Sequence, residues 1–276
     1  MTIENYKNGI LLKDQKNFDP FDCFECGQCF RFERLSDSAY SLCANGRKLV
    51  VKKENGCIFF EDMTEEEFYS VWKDYFDLDR DYGKIIESFS FDKTVKRAAE
   101  CASGIRILRQ DPWETLVSFI ISQNNNIPRI KKIIESMCSL LGKKGRDCFL
   151  FPTPEAIYEA GIDGLAPIKS GFRAKYIVSA AEKALYGEVS AERIKKGTYE
   201  EGMEELKKIK GVGDKVANCV LLFGFGFLGA FPIDVWVKKI IEKYYGGNFD
   251  PSSLGEYAGI AQQYLFYYER TLKDRL

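Results

Sequence analysis

The sequence predicts an α+β protein, with a β-rich N-terminal domain over residues 1–98 packed on an all-α body over residues 99–276. Three observations predict it. Short alternating apolar stretches recur up to residue 61, with Asn-Gly dipeptides between them. Helical spacing of apolar residues takes over from about Asp92. Helix starts that combine an N-cap residue with a following proline punctuate this second part, at Asp111-Pro112 and Thr153-Pro154.

Taken in order, strands are expected over residues 29–33, 40–43, 48–51 and 58–61. Asn45-Gly46 and Asn55-Gly56 separate the last three, and both residue types tolerate the positive φ that a two-residue hairpin turn demands. Thr64 and Glu67 form a capping box that opens a helix through Phe68, Val71, Trp72 and Phe76. Beyond Asp92, apolar positions fall three and four apart: Leu116, Phe119 and Ile120, then Ile130, Ile133 and Ile134, then Tyr176, Ala180 and Ala184. Gly or Pro at 142, 152, 161, 167 and 187 divides this body into helices, with room for two helical subdomains.

With 276 residues and 45% hydrophobic content, the chain can bury a sizeable core. The formal net charge is -1, so no global basic field argues for nucleic acid. The charge is uneven: residues 1–100 carry a net -5 and the remainder +4. There are nine cysteines and no histidine. The odd cysteine count and the absence of an apolar leader predict a reducing, cytoplasmic setting. No run approaches the roughly 18 apolar residues of a membrane span. The lack of histidine removes the usual general base and the commonest metal ligand. Catalysis would have to use Lys, Asp, Glu, Tyr, Ser or Cys.

One stretch concentrates the chemistry. Residues 206–236 read L-K-K-I-K-G-V-G-D-K-V-A-N-C-V-L-L-F-G-F-G-F-L-G-A-F-P-I-D-V-W. Leu206 and Ile209 end one helix, Gly211-Val212-Gly213 makes a tight turn, and Asp214 starts the next. Such a turn leaves backbone N–H groups free at a positive dipole end, where they bind phosphate without side-chain charge. Lys215 lies in the first helical turn, where the dipole repels a cation and favours the neutral, nucleophilic amine. Cys219 is four residues on and shares its face. Asp234 precedes the next helix. Taken alone, this pattern also fits a phosphate-contacting lysine and a plain N-cap aspartate, in a non-enzymatic DNA-binding module.

The segment L-K-K-I-K-G-V-G-D-K-V-A, followed 19 residues after Lys215 by the Asp of P-I-D-V, resembles the helix-hairpin-helix signature of base-excision DNA glycosylases. A lysine at this place resembles the bifunctional members, which cleave the glycosidic bond and then nick the strand. The resemblance implies that Lys215 attacks C1′ of the damaged nucleotide and that Asp234 stabilises positive charge on the sugar. Gly211, Gly213 and Val216 would hold the DNA backbone through their N–H groups. Relatives with an iron–sulfur cluster carry four cysteines after this motif, and none follows Cys219 here.

Further stretches resemble the 8-oxoguanine DNA glycosylase family and together span nearly the whole chain. In S-Q-N-N-N-I-P-R-I, residues 122–130, Asn124 would fill the gap left by the flipped base and Arg129 would read the orphaned cytosine. In G-F-R-A-K-Y, residues 171–176, Phe172 would wedge into the stack and Arg173 would donate to the same cytosine. The family more often has Tyr at the wedge. In G-I-A-Q-Q-Y-L-F, residues 259–266, Gln262 would read the edge of the lesion base, with Phe266 and Cys219 sandwiching its ring. Trp236 stands where members often have His, so a phosphate contact there would come from an uncharged indole N–H. The resemblance implies a helix-hairpin-helix glycosylase body with the hairpin at 206–224, a monomer acting on double-stranded DNA containing oxidised guanine, preferentially opposite cytosine, with no cofactor and no membrane. A glycosylase for another oxidised or alkylated base is the competing enzymatic reading.

The N-terminal stretch C-F-E-C-G-Q-C-F-R-F, residues 23–32, suggests a metal site at first sight. No histidine and no second C-x-x-C complete a ligand set, so no metal is expected. G-Q-C-F-R-F resembles the family's G-Q-S-F-R-W. By that resemblance the carbonyl of Gly27 accepts from N7–H, a hydrogen that 8-oxoguanine has and guanine lacks. The cysteines then read as small apolar packing.

Overall fold

Six strands form one antiparallel sheet in the order β1-β2-β6-β5-β4-β3. They are β1 (Thr2–Tyr6), β2 (Gly9–Lys13), β3 (Phe32–Ser36), β4 (Ala39–Ala44), β5 (Arg47–Glu54) and β6 (Cys57–Glu61). The structure is a computed structural model and describes residues 1–273, with side chains through 270. The expected hairpins are present. Asn45 and Gly46 have φ of 51° and 73°, Asn55 and Gly56 of 51° and 78°, as a two-residue turn of matching twist requires. Register pairs Leu42 with Leu49, Val51 with Phe60 and Phe60 with Ile10, so a row of apolar side chains crosses the sheet on one buried face.

Two differences from the sequence reading have physical causes. β1 and β2 were not expected: β1 is mostly exposed and offers no apolar run, and in β2 Ile10, Leu11 and Leu12 are all buried and show no alternation. The strand expected to start at Cys29 starts at Phe32. The chain first turns at Gly27, whose φ of +84° is incompatible with a strand.

The helices are α1 (Pro20–Glu25), α2 (Glu65–Glu67), α3 (Lys73–Tyr75), α4 (Tyr82–Ser88), α5 (Lys93–Cys101), α6 (Pro112–Ser122), α7 (Ile127–Leu141), α8 (Pro154–Gly164), α9 (Ala174–Leu185), α10 (Ala191–Lys196), α11 (Tyr199–Lys207), α12 (Asp214–Phe223), α13 (Val235–Tyr245) and α14 (Ala258–Lys273). A π-helical stretch, Phe68–Trp72, joins α2 to α3. Asp111 and Thr153 cap α6 and α8 with proline at the first helical position. Among the described residues no helix is long and apolar enough to cross a membrane.

Two apolar cores result. One lies under the sheet and joins Phe24, Phe60, Phe68 and Phe76. Full burial of each such ring stabilises by about 1.5–3 kcal/mol. The other lies between the helices and runs from Tyr82 to Tyr268, yet it also takes in Cys26 and Phe30. The C-terminal helix α14 packs on α5, and Tyr267 donates to Asp22 Oδ1 at 2.8 Å. That return brings the last helix against the turn after α1.

Candidate active site

The hairpin is built by glycine geometry. Thr198 and Glu201 close a capping box on α11, and the chain then turns through Gly211, Val212 and Gly213 into α12. Gly211 has φ +85°, and a β-carbon there would lie 2.4 Å from the Tyr176 ring. Glycine is therefore required twice over. Gly213 faces open space, with nothing within 4 Å of where its β-carbon would be. No side chain caps α12, and its first backbone bond runs from Ala217 N to Gly213 O at 3.0 Å. The N–H groups of residues 214–216 thus have no acceptor in their own helix. The Val216 side chain is buried, so any contact it makes with a phosphate is through its backbone.

Gly27, Lys215, Cys219, Asp234, Gln262 and Phe266 come together around one cavity. They derive from the turn after α1, from α12, from the start of α13 and from α14. Phe119, Phe223 and Gln263 complete its walls. Lys215 Nζ stands 3.5 Å from Ser122 Oγ and 5.0 Å from the centroid of the Phe119 ring, which stacks on Phe223. The amine therefore sits on an apolar wall, with the Ser122 hydroxyl and the Cys219 thiol as polar neighbours. Burial raises the pKa of the Cys219 thiol, and the adjacent Lys215 opposes that rise. Asp234 caps α13: its Oδ1 accepts from Trp236 N and Val237 N, both at 2.9 Å. Phe266 lies beside Gly27, its Cε1 3.5 Å from where a β-carbon on that glycine would be.

Three positioning residues were missed by the sequence reading. Asn218 accepts from Tyr199 Oη at 2.8 Å and from Phe231 N at 3.1 Å, and donates to Asp214 O at 2.9 Å. It ties the helix of Lys215 to the segment that delivers Asp234. Gln28 is fully buried, donates to Cys23 O and Arg106 O and accepts from Leu108 N, which fixes the Gly27 turn to the segment before α6. Gln263 donates to Gln262 Oε1 at 2.8 Å. A buried amide partner is a signal visible only once the tertiary neighbours are known.

The remaining expected residues lie around the loop that leaves Ser122. Asn124 is exposed and holds a left-handed φ of 47°. Arg129 is exposed, with Nη2 3.4 Å from Lys169 O. Phe172 is 48% exposed, edge-on to Tyr176 and 4.5 Å under the Arg173 guanidinium. Arg173 is different: it is buried and donates to the carbonyls of Gln123, Asn124 and Ser170. In this conformation its donors hold the Asn124 loop instead of facing outward. Burial and then the nearby Arg129 lower its pKa.

Comparisons with known proteins place the chain in a family. Two family descriptions match in tandem: 8-oxoguanine DNA glycosylase, N-terminal domain, over residues 10–116, and HhH-GPD superfamily base excision DNA repair protein over residues 117–255. The chain belongs to the 8-oxoguanine DNA glycosylase family. It is 30% identical to the N-glycosylase/DNA lyase OGG1 of Arabidopsis thaliana, over 86% of this chain and 68% of that one. It is 36% identical to the N-glycosylase/DNA lyase of Saccharomyces cerevisiae over 66% of this chain, and the match spans 53% of the yeast protein. The 8-oxoguanine glycosylase/lyase of Clostridium acetobutylicum, solved in its apo-form, superposes with a TM-score of 0.91 at 40% identity, covering 97% of this chain and 99% of that one. The same clostridial protein has been solved with double-stranded DNA containing cytosine opposite 8-oxoG, again with a TM-score of 0.91. The chain is thus placed among the DNA glycosylase/lyases of base-excision repair.

The cysteine triplet packs in the protein interior. Cys23, Cys26 and Cys29 are buried, and burial pushes all three thiols up, Cys26 to about 12. Cys23 Sγ accepts from Arg106 N at 3.2 Å, and Cys26 Sγ accepts from Gln28 Nε2 at 3.2 Å. Among the described residues no group of three or more Cys, Asp or Glu is arranged to hold a metal ion.

Proposed function

We propose that this chain excises 8-oxoguanine from double-stranded DNA, preferentially opposite cytosine, and then cuts the strand by β-elimination. The observation that carries the reading is the convergence of Lys215, Asp234, Gln262 and Gly27 on one cavity beside the hairpin. The hairpin N–H groups seat a phosphate, and the lesion is flipped out of the stack. Asn124 and Phe172 fill the gap, and Arg129 contacts the opposite cytosine. Arg173 joins it on leaving the loop carbonyls. The flipped base enters between Cys219 and Phe266, with Gln262 at its Watson–Crick edge and the Gly27 carbonyl accepting from N7–H. Guanine would leave that carbonyl unsatisfied, at a cost of about 1–3 kcal/mol.

Lys215 Nζ then forms a bond to C1′ as the glycosidic bond breaks and its electron pair leaves with the base. Asp234 stabilises the positive charge that develops on the sugar. The ring-opened adduct is a Schiff base. Loss of a C2′ proton expels the 3′-phosphate and breaks the strand. The clostridial relative's complex with cytosine opposite 8-oxoG supports the substrate and the opposite-base preference. The protein acts as a monomer on this reading.

The test is borohydride trapping on a duplex with 8-oxoguanine opposite cytosine. The native protein is expected to cross-link and Lys215→Gln is not. Cross-linking by Lys215→Gln would remove Lys215 as nucleophile. Cleavage of thymine glycol without cleavage of 8-oxoguanine would overturn the substrate.

A further inference from the structure

One aromatic ring joins two parts of the molecule that the proposed reaction uses separately. Tyr176 lies in the first turn of α9 and is half-buried. The hairpin backbone packs on it: a β-carbon at Gly211 would fall 2.4, 2.5 and 2.7 Å from its Cδ2, Cγ and Cε2. Phe172, four residues earlier, meets the same ring edge-on, with centroids 5.9 Å apart and planes at 74°. Both contacts are made by the ring and neither by the hydroxyl.

Phe172 needs such a neighbour. Its side chain is 48% exposed and stands on a short 3-10 turn, Gly171–Arg173, that opens at a left-handed glycine with φ +63°. A side chain free to change rotamer there must be ordered before it enters a base stack, and that ordering opposes insertion. A ring already held in place avoids the cost. The Arg173 guanidinium lies 4.5 Å from the Phe172 ring, but on the reading above it leaves for the opposite cytosine. Tyr176 is then the ring contact that remains. Its other neighbour, Gly211, belongs to the turn whose N–H groups seat a phosphate. A planar ring of fixed size therefore spans the distance from phosphate seat to wedge.

We propose that Tyr176 is a positioning residue that sets the distance from the phosphate-binding hairpin to the Phe172 wedge, so that seating the backbone aims the wedge at the stack beside the lesion. This rests on the reading of Phe172 as wedge and of the hairpin as phosphate seat. The experiment uses the full chain, at saturating protein, and single-turnover excision from two duplexes. One carries 8-oxoguanine opposite cytosine, the other 8-oxoguanine opposite an abasic analogue. In the first a pair must be broken and the gap held; in the second the lesion has no partner to leave. For each duplex the native rate is divided by the variant's. Tyr176→Leu is expected to lose about fivefold on the paired duplex, the size of one aromatic pair contact, and less than about twofold on the unpaired one. Tyr176→Phe keeps the ring and is expected within about twofold of native on both. A hairpin or fold loosened for want of packing slows both duplexes alike. Equal losses on the two, or no loss on the first, therefore overturn the proposal, as does a Tyr176→Phe loss as large as that of Tyr176→Leu. Phe172→Ala tests the reading beneath it. If that variant shows no selective loss on the paired duplex, Phe172 is not a wedge. If it does and Tyr176→Leu does not, only the positioning role fails.

Discussion

The two glycines of the hairpin should separate stability from DNA binding. In Gly211→Ala the new methyl falls 2.4 Å from Tyr176 Cδ2 and 2.5 Å from its Cγ, and φ is +85°. A non-glycine residue in the left-handed region costs about 1–2 kcal/mol. Forcing the ring aside adds about 1–3 kcal/mol. The sum, roughly 2–5 kcal/mol, should lower Tm by roughly 3–9 °C for a chain of this size. In Gly213→Ala the methyl meets nothing within 4 Å, and φ is an ordinary -105°. Its stability should change by no more than about 0.5 kcal/mol. The same methyl stands where a phosphate would approach the N–H groups of α12, and binding should weaken roughly tenfold, a loss of about 1.4 kcal/mol. Thermal unfolding by circular dichroism and anisotropy with labelled duplex measure the two quantities. Tyr176→Ala completes a cycle: it should remove the clash share of the Gly211→Ala cost and leave the backbone share, a coupling of about 1–3 kcal/mol. Equal Tm for the two alanine variants, or no coupling to Tyr176, would refute the reasoning.

Three other expectations follow from the same geometry. Gly27→Ala carries a left-handed backbone penalty of about 1–2 kcal/mol, but its methyl lies at ordinary contact distance, 3.5 Å from Phe266 and 3.7 Å from Arg270. It should therefore fold, and excision of 8-oxoguanine should fall about 10–200-fold through the narrowed slot, while duplex affinity stays near native. Arg173→Ala removes donors to three carbonyls around the Asn124 loop, and stability should drop by about 1–3 kcal/mol, with faster proteolysis at residues 123–126. An unchanged Tm would show that Arg173 does not hold the free protein's loop. Glu114 pairs with Arg31 at 3.1 Å, and burial, partly offset by Arg31, pushes its carboxyl up from 4.5 to about 7. A raised carboxyl pKa contributes stability that is complete below the unfolded value and lost as pH rises to about 7. The native protein should thus lose stability between pH 4.5 and 7, by up to about 3 kcal/mol before solvent screening of a side chain one-fifth exposed. Glu114→Gln should flatten denaturant-unfolding free energies across that window, and an unchanged slope would show that Glu114 is not the titrating group.

Much of the fold was legible because the deciding residues act locally. Asn45-Gly46 and Asn55-Gly56 announce their turns since few other pairs hold two positive φ angles in succession. Asp111 and Thr153 announce helix starts, because their side chains accept from backbone N–H groups three residues on. β2 was illegible for the opposite reason. Both of its faces are covered, so Ile10, Leu11 and Leu12 carry no period, and an apolar run of that length fits a strand or a buried helix equally. The start of β3 was misplaced because Gln28 acts at long range. Its side chain bonds Arg106 O and Leu108 N some eighty residues away, and this holds the chain in a turn where alternation alone suggests a strand.

The site divides along the same line. Lys215, Cys219 and the glycines of the hairpin stand out from spacing and the dipole of one helix start, although that pattern alone also fits a non-enzymatic phosphate site. Gly27 and Phe266 lie 239 positions apart, and no periodicity links them. Only the family resemblance connected them before the structure showed α14 returning to the turn after α1. Arg173 shows what resemblance does not carry. A motif names the side chain, but the acceptors it faces depend on the conformational state, and here they are the carbonyls of the loop that bears Asn124. If the family's role for Arg173 holds, DNA binding must exchange those carbonyls for a cytosine edge. Releasing the loop and reading the opposite base would then be a single step. An opposite cytosine would supply the acceptors that the loop gives up, and another base would leave the guanidinium either in the loop or unpaired. On that argument, selectivity for the opposite base should appear in the rate at which the Asn124 loop opens, as well as in affinity.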